Sequence, residues 1–383
     1  MERGVPLSKR QPGQAARLLV DDGASAAGGL ALDEALLLDY HRASPPPAPT
    51  LRLYTYADNC VLIGRYQNLS AEVDLQAAES LGVGVSRRPT GGGAIIMGSK
   101  QLGVAVAAAA ESAERPKDVL SRYARGVVGG LGNLGIEASF EGKNDLVVAG
   151  RKIAGLGLYA DGRGGLLFHA SVLADLDIDL MLSVLQIPAS KLSANRISAV
   201  QQRIVTVSSI LGEAVDAGSL RGAFAAGFGS SLGCDLLESV PTDQERAEAA
   251  RLEADKYGTA EWCQQQHFRQ DQTSSFDIRS TEGTLRCHVS LSGNILKSLL
   301  ITGDFNTMPP VLKELESALR WQRVDPEPLA ARLRSTLGDP ALVDADEFVD
   351  HLVRLAGATL APAGAQAAPS RTGSCYFPEV SAT

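Results

Sequence analysis

From Gly29 to Tyr40 the chain reads GLALDEALLLDY. Leu30, Ala31, Ala35, Leu37 and Leu38 share one face of a helical period while Asp33, Glu34 and Asp39 stay polar, so a helix is predicted there. The PPPAP run at 45–49 ends it. Three short apolar runs, Leu51–Tyr56, Cys60–Gly64 and Gly82–Ser86, then read as strands between turns. A second helix is predicted over Lys117–Leu134, where Val119, Leu120, Tyr123, Val127, Leu131 and Leu134 recur at helical spacing despite Gly129, Gly130 and Gly132. Strands then cluster. Asp145–Val148 and Arg151–Tyr159 flank an Ala149-Gly150 turn, and the glycine-rich stretch 161–165 leads into Leu166–Leu173.

Helices and strands in mixed order, without a regular βαβ alternation, predict the α+β class and speak against a doubly wound sheet. Between Ser239 and Lys256 the chain turns strongly charged, which predicts a solvated helical connector. Beyond it, Thr284–Ser290 and Ile295–Thr302 read as strands around a turn at 291–294. Helical stretches follow at Pro310–Leu319, Pro326–Leu337 and Asp344–Leu355, which together predict a second, small α+β domain. The expected division is a flexible leader over 1–16, a first domain over 17–238, connector and accessory domain over 239–356, and a flexible tail over 357–383 that carries Cys375.

The 383 residues suit two domains, and a 45% hydrophobic, 21% charged composition excludes disorder over most of the length. A net charge of −8 argues against nucleic acid as a partner, because phosphate neutralisation needs clustered cations. No apolar run approaches the roughly 18–20 residues that cross a bilayer, so no membrane association is expected. The basic residues near the N-terminus precede only Leu18–Val20 before Asp21 and Asp22, which is not a secretory signal. Five scattered cysteines without a CxxC pair read as free thiols in a reducing cytoplasm.

Two segments could carry chemistry. In RRPTGGGA, Arg87 to Ala94, the glycines Gly91, Gly92 and Gly93 let backbone approach a ligand and turn amides toward an anion, and Arg88 supplies a charged fork. Taken alone, the triplet also suits a bland surface turn. Downstream, Asn144 and Asp145 precede a strand in which Lys152 is followed by Gly155 and Gly157, so the lysine reads as aimed into space the glycines leave. A solvated strand lysine is the competing reading of that segment alone.

Together with LALDEALL (Leu30–Leu37), IGRYQN (Ile63–Asn68) and FHAS (Phe168–Ser171), these segments resemble the lipoate–protein ligase family, within the larger biotin/lipoate ligase and octanoyltransferase group. The resemblance implies a catalytic domain with a mixed or antiparallel sheet and flanking helices, and the stretch from Leu285 is similar to the accessory domain of bacterial ligases. It further implies that lipoate and ATP form lipoyl-AMP, and that a lysine of an acceptor lipoyl domain then takes the acyl group. The acceptor would be an E2 subunit, a glycine-cleavage H protein or another lipoate-binding protein. By the same resemblance Lys152 is catalytic, Arg88 with the Gly91–Ala94 loop holds the acyl phosphate, and Asn144 and Asp145 adjoin the nucleotide. Asp145 would help to hold Mg2+, and Gly155, Gly157, His169 and Ser171 would line the acyl pocket.

Two departures stand out. Ile95–Lys100 occupies the place of an aromatic-His-Asp sequence, and AGLG replaces SGS after the lysine, which is similar to the octanoyltransferase branch. That branch needs a nucleophilic thiol, yet no cysteine lies between Cys60 and Cys234, and Ala189 stands where one branch carries its nucleophile. A ligase is therefore the favoured reading, with an octanoyltransferase or a non-catalytic lipoate- or biotin-binding protein as alternatives. Trp262, Trp321 and the charged connector read as ordinary core and surface.

Overall fold

The computed structural model of the chain describes residues 15–41, 44–111, 114–142, 144–186, 200–264, 274–281, 283–303, 305, 308–338 and 342–360. The expected leader up to residue 14, the tail beyond 360 and Ala189 lie outside the described residues. In chain order the strands are β1 (Ala16–Ala24), β2 (Thr50–Tyr56), β3 (Cys60–Ile63), β4 (Gly84–Arg87) and β5 (Ile95–Met97). β6 (Gln101–Ala109), β7 (Ser139–Glu141), β8 (Asp145–Val148), β9 (Arg151–Ala160) and β10 (Gly165–Leu173) follow. The series ends with β11 (Leu236–Ser239), β12 (Ser274–Ser280), β13 (Gly283–Ser292), β14 (Ile295–Gly303) and β15 (Gln322–Arg323). The described residues form two compact units, one falling within 1–58, 98–176 and 205–255, the other within 59–97, 177–204 and 256–383. The mixed α+β architecture is as expected.

In the first unit eight strands run in the order β11-β1-β2-β6-β10-β9-β8-β7, parallel from β11 to β2 and antiparallel beyond. β6 is central and almost wholly buried, so its sequence, LGVAVAAA after Gln101, is apolar without alternation. One face of the sheet is covered by helices Pro116–Gly132 and Arg221–Leu232, which bury Tyr123, Val127, Leu131, Phe224 and Phe228 against Leu156, Phe168 and Val172. These helices cross at glycines: a Cβ on Gly227 would stand 2.3 Å from the Gly130 nitrogen. Helix Ala26–Ala35, capped by Ser25 on the Gly28 amide, lies on the other face and tightens into a 3-10 turn over Leu36–Tyr40. Helix Asp243–Leu252 packs on it, so the stretch expected as a solvated connector is docked. The fastening is Glu245, only 1% exposed, which receives Arg17 at 2.7 and 3.0 Å.

The first unit holds a buried charge cluster. The Arg52 guanidinium, fully buried on β2, donates to Asp33 Oδ1 at 2.7 Å, to the Gly29 carbonyl at 3.0 Å and to Asp21. Asp33 is equally buried, and its second oxygen lies 2.9 Å from Nε2 of His169 on β10. Burial by itself would raise the Asp33 carboxyl, but Arg52 and His169 outweigh it and hold the group below the usual carboxylate range.

The second unit contains two sheets. β4-β3-β5 is small, with β4 parallel and β5 antiparallel to β3; β12-β13-β14-β15 is an antiparallel meander backed by helices Pro310–Ala318, Pro326–Leu337 and Ala345–Leu360. Inward residues alternate along β13, Leu285, Cys287 and Val289 meeting Leu315, Leu333 and Phe348.

Two stability predictions follow from the first unit. Gly227→Val forces backbone apart and is expected to destabilise by about 2 kcal/mol or more, whereas Gly222→Ala, whose added Cβ meets nothing within 4 Å, gains about 0.5 kcal/mol; thermal melts compare the two. Asp33→Asn deprives Arg52 of its fully buried counter-charge, leaving the partly exposed Asp21, and is expected to remove about 3–5 kcal/mol at neutral pH. Because the folded-state carboxyl of Asp33 lies below its unfolded value, its contribution is complete above about pH 4 and disappears as pH falls through the folded value. Urea titrations from pH 7 to pH 3 should therefore show a flatter acid limb for the variant than for the wild type, and coincident curves would exclude the role.

Candidate active site

The site is read from β8 to β10 of the first unit. On β10, His169 and Ser171 stand opposite Gly157 and Gly155 of β9, so all four share the sheet face turned away from the Phe168 core. Lys152 is three residues before Gly155, an odd separation that in a regular strand would put the two on opposite faces. A β-bulge corrects this: Leu146 pairs with Ala154 but Val147 with Lys152, so Ile153 is the extra residue. Ile153 and Ala154 both enter the core, and Lys152 moves to the Gly155 face. A Cβ on Gly155 would lie 3.2 Å from Lys152 Nζ and 3.7 Å from Ser171 Oγ, so the lysine lies across the glycine.

Lys152 is 4% exposed, and its Nζ is 2.5 Å from Oδ1 of Asp145, the first residue of β8, which pairs with Gly155. Its backbone carbonyl accepts from the Val205 amide at 2.8 Å. Asn144, beside Asp145, donates its side-chain amide to the Leu156 carbonyl at 3.3 Å and accepts the Leu156 amide on its own carbonyl. A buried ammonium is thus fixed by one carboxylate across a hairpin, next to a hydroxyl and above two residues without side chains. Such an arrangement can neutralise an anion brought to the face of β9.

In the second unit Arg88 and Gly91–Ala94 form a braced loop. Gly92 has φ of +90°, open only to glycine, and a Cβ on Gly64 would strike the Gly92 oxygen at 1.9 Å. Arg88 sends Nη1 to the Leu62 carbonyl at 2.7 Å and Nη2 to the carbonyls of Gly91 and Gly93 at 2.8 and 2.7 Å. The Gly92 amide donates to the Phe305 carbonyl at 3.1 Å. Arg88 is thus a brace for the loop in this structure, and the fork expected for a ligand is turned onto its own backbone. Arg87 does similar work. It donates to the carbonyls of Gly64, Arg65, Gln67, Trp262 and Cys263, and the Trp262 indole N–H returns a bond to the Arg87 carbonyl at 2.7 Å. Burial, together with the neighbouring Arg65 and Arg88, pushes the Arg87 guanidinium down to about 10. Trp262, expected as ordinary core, belongs to this clamp.

The residues expected at the site therefore fall into two sets: Lys152, Asn144, Asp145, Gly155, Gly157, His169 and Ser171 gather on β8–β10, while Arg88 and Gly91–Ala94 gather on the loop after β4. Sequence reasoning missed Asp33, which fixes the His169 ring, and Arg52, which holds Asp33. The signal available was an acid inside an apolar helical face and an arginine inside an apolar strand. Among the described residues no group of three or more His, Cys, Asp or Glu gathers to hold a metal. One carboxylate at Asp145 nevertheless fits Mg2+, which takes one or two carboxylates and fills the rest of its shell with phosphate oxygens and water.

The family description "lipoyl protein ligase A/B catalytic domain" matches residues 25–229. An octanoyltransferase LipM of Brevibacillus brevis is 30% identical over 272 residues, covering 64% of this chain and 97% of that protein. Among solved structures, the bipartite lipoate protein ligase of an archaeal lipoylation system from Thermoplasma acidophilum, described with its E2 lipoyl domain, superposes with a TM-score of 0.60 at 28% identity. It covers 67% of this chain and 99% of its own. A lipoate-protein ligase A bound with ATP gives a TM-score of 0.57 at 27% identity, covering 65% of this chain and 98% of its own. With the family match spanning more than half of the residues and the lysine hairpin formed within it, the chain belongs to the lipoyl protein ligase A/B catalytic domain family.

Proposed function

We propose that the protein is an ATP-dependent lipoate–protein ligase. The observation that carries this reading is Lys152, laid across Gly155 and held by Asp145, in a chain whose cysteines stand only at 60, 234, 263, 287 and 375. In the first half-reaction a carboxylate oxygen of lipoate attacks the α-phosphorus of ATP, pyrophosphate leaves and lipoyl-AMP forms. In the second, the deprotonated amine of an acceptor lysine attacks the acyl carbonyl, AMP leaves and an amide forms. The reacting carboxylate and phosphate repel each other, so the lysine charge lowers the barrier by drawing both anions to one point. Asp145 orients that charge, while Gly155, Gly157, His169 and Ser171 line the acyl chain. Mg2+, held by Asp145 and phosphate oxygens, would supply further charge neutralisation on the nucleotide. The Gly91–Ala94 loop, shaped by Arg88, is the proposed element for the acyl phosphate. The acceptors are lipoyl domains such as an E2 subunit or a glycine-cleavage H protein, and the reaction is cytoplasmic.

Octanoyl transfer is the second reading, favoured by the octanoyltransferase LipM relative. Its thioester intermediate needs a thiol beside the acyl chain. Cys60 is buried on β3 with its backbone paired to β4 and β5, and the sequence has no cysteine from 61 to 233.

Lys152→Ala is expected to lower ATP- and lipoate-dependent pyrophosphate release by about 10²-fold or more with an unchanged far-ultraviolet spectrum; release at the wild-type rate would falsify the lysine's role. Gly155→Ala, which crowds Nζ, should lower the same rate by a smaller factor. The donor question is settled by incubating the protein with an apo lipoyl domain and either lipoate, ATP and magnesium or octanoyl-acyl carrier protein, then weighing the acceptor. Replacing Cys60 and Cys287 by Ala and the other cysteines by Ser should leave the ATP-dependent product intact. Acceptor modified from octanoyl-acyl carrier protein without ATP, and lost with one cysteine, establishes the octanoyltransferase instead.

A further inference from the structure

The bulge that turns Lys152 outward is held by a segment some fifty residues further along the chain. Two registers create the bulge. At one end Ala149 and Gly150, with φ of +48° and +73°, form the two-residue turn that sets Val148 opposite Arg151. At the other, the ladder between β10 and β9 runs from Leu166 opposite Ala160 to Val172 opposite Ala154. Ile153 is the residue these registers leave over, and Lys152 lies beyond the last rung to β10. There the Lys152 carbonyl accepts from the Val205 amide at 2.8 Å. Val205 is anchored in turn. Three residues on, the Ser208 amide and hydroxyl both donate to the carbonyl of Ala174, just past the end of β10, at 2.9 and 2.8 Å. The same hydroxyl oxygen accepts from the Val215 amide at 3.0 Å. Thr206 caps helix Val207–Leu211 by exchanging bonds with Ser209, and Val205 and Val207 are buried in the core that takes Ile153 and Ala154.

A bulge disrupts the ladder locally, so the peptide planes around it need another partner. The Val205 amide supplies one at the plane between Lys152 and Ile153, and the tilt of that plane sets the direction in which the lysine side chain leaves the strand. Asp145 fixes the other end of the same side chain, 2.5 Å from Nζ. Placement matters as much as charge, because a reacting group displaced by about 1 Å can lose about 10²-fold in rate. We propose that Ser208 is a positioning residue for the reactive lysine. Through Ala174 and Val215 it seats the Val205 amide on the Lys152 carbonyl, and this clip holds the bulge, and with it the ammonium, where the reacting anions meet. A serine that merely anchored the start of its own helix would stabilise the fold without acting through the lysine. The proposal rests on the function given above for the role of Lys152.

The test is a double-mutant cycle in the full chain. Ser208→Ala keeps the backbone bond to Ala174 and loses both bonds of the hydroxyl. It should lower kcat for ATP- and lipoate-dependent pyrophosphate release by about tenfold, with KM for either substrate changed by less than about twofold. Ser208→Thr, which restores a hydroxyl, should recover most of the rate. On a Lys152→Ala background Ser208→Ala should have no further effect, since no ammonium is left to place. Equal losses on the two backgrounds overturn the proposal, as does an unchanged kcat in Ser208→Ala. Val205→Pro removes the donor itself and should cost more than Ser208→Ala; if it does not fold, the serine variants decide. A second arm needs no substrate. In the wild type the Val205 amide should exchange slowly with deuterium, and acetic anhydride should acetylate Lys152 more slowly than the exposed Lys117. Ser208→Ala should speed both events and leave Lys117 unchanged, and equal labelling of Lys152 in the two proteins overturns the clip. Failure of the ligase reading registers separately, as a wild type that releases no pyrophosphate while the labelling difference persists.

Discussion

Asp33 is one carboxylate shared by an arginine and a histidine, and much of the first unit's geometry leads back to it. Its two oxygens point at residues far apart in sequence, Arg52 on β2 and His169 on β10, so one side chain of helix Ala26–Ala35 registers that helix against two non-adjacent strands of the sheet. A fully buried arginine is tolerable only with its charge met and its donors occupied, and here Asp33, Asp21 and the Gly29 carbonyl do both. The consequence for chemistry is indirect. With Nε2 tied to Asp33, the ring of His169 has a fixed orientation on the same strand face as Ser171.

Bracing of backbone is the second recurring device. Glycine makes the Gly91–Gly93 turn possible but does not hold it, because residues without side chains lose the most conformational freedom on ordering. Arg88 supplies the missing order by gathering carbonyls from both ends of the turn, and Arg87 does the same for the 64–67 segment and for 262–263. Carbonyls bound to a guanidinium are turned toward it, which biases the direction in which neighbouring peptide units can face. Guanidinium groups that look from sequence like ligand forks therefore serve the loop that would meet the ligand.

What could be read from sequence follows from how local each signal is. The helix at Gly29–Tyr40, the hairpin at 145–159 and the three C-terminal helices carry their own periodicity, and the structure has them within a few residues. β6 was hidden because a central strand buried on both faces loses its alternation, and Ala105–Ala109 has no strand-forming side chains besides Val106. β1 was hidden by Asp21 and Asp22, whose charges are met laterally by Arg52 and by Arg221 together with Thr55. Lys152 and its glycines were legible as a group. The partner of Arg88, the clamp on Trp262 and the exposure of Trp321 were not, since each depends on backbone atoms distant in sequence.

The bulge at Ile153 shows why the lysine motif cannot be understood as a simple alternation. Counting residues places Lys152 opposite in face to Gly155 and Gly157, and in an unbroken strand the ammonium would enter the Phe168 core, where an unpaired charge is prohibitive. One inserted residue reverses the parity of everything before it. It sends Ile153 inward next to Ala154, brings Lys152 to the outer face, and shifts the β8 register by one so that Asp145 stands opposite Gly155. Carboxylate, glycine and ammonium then coincide because of a single irregularity in the ladder, and a Cβ at 155 would press on the lysine that crosses it. A regular hairpin with the same residues would hold neither the ion pair nor the open face, so the arrangement of ammonium, carboxylate and glycine resides in the backbone defect and the side chains inherit it.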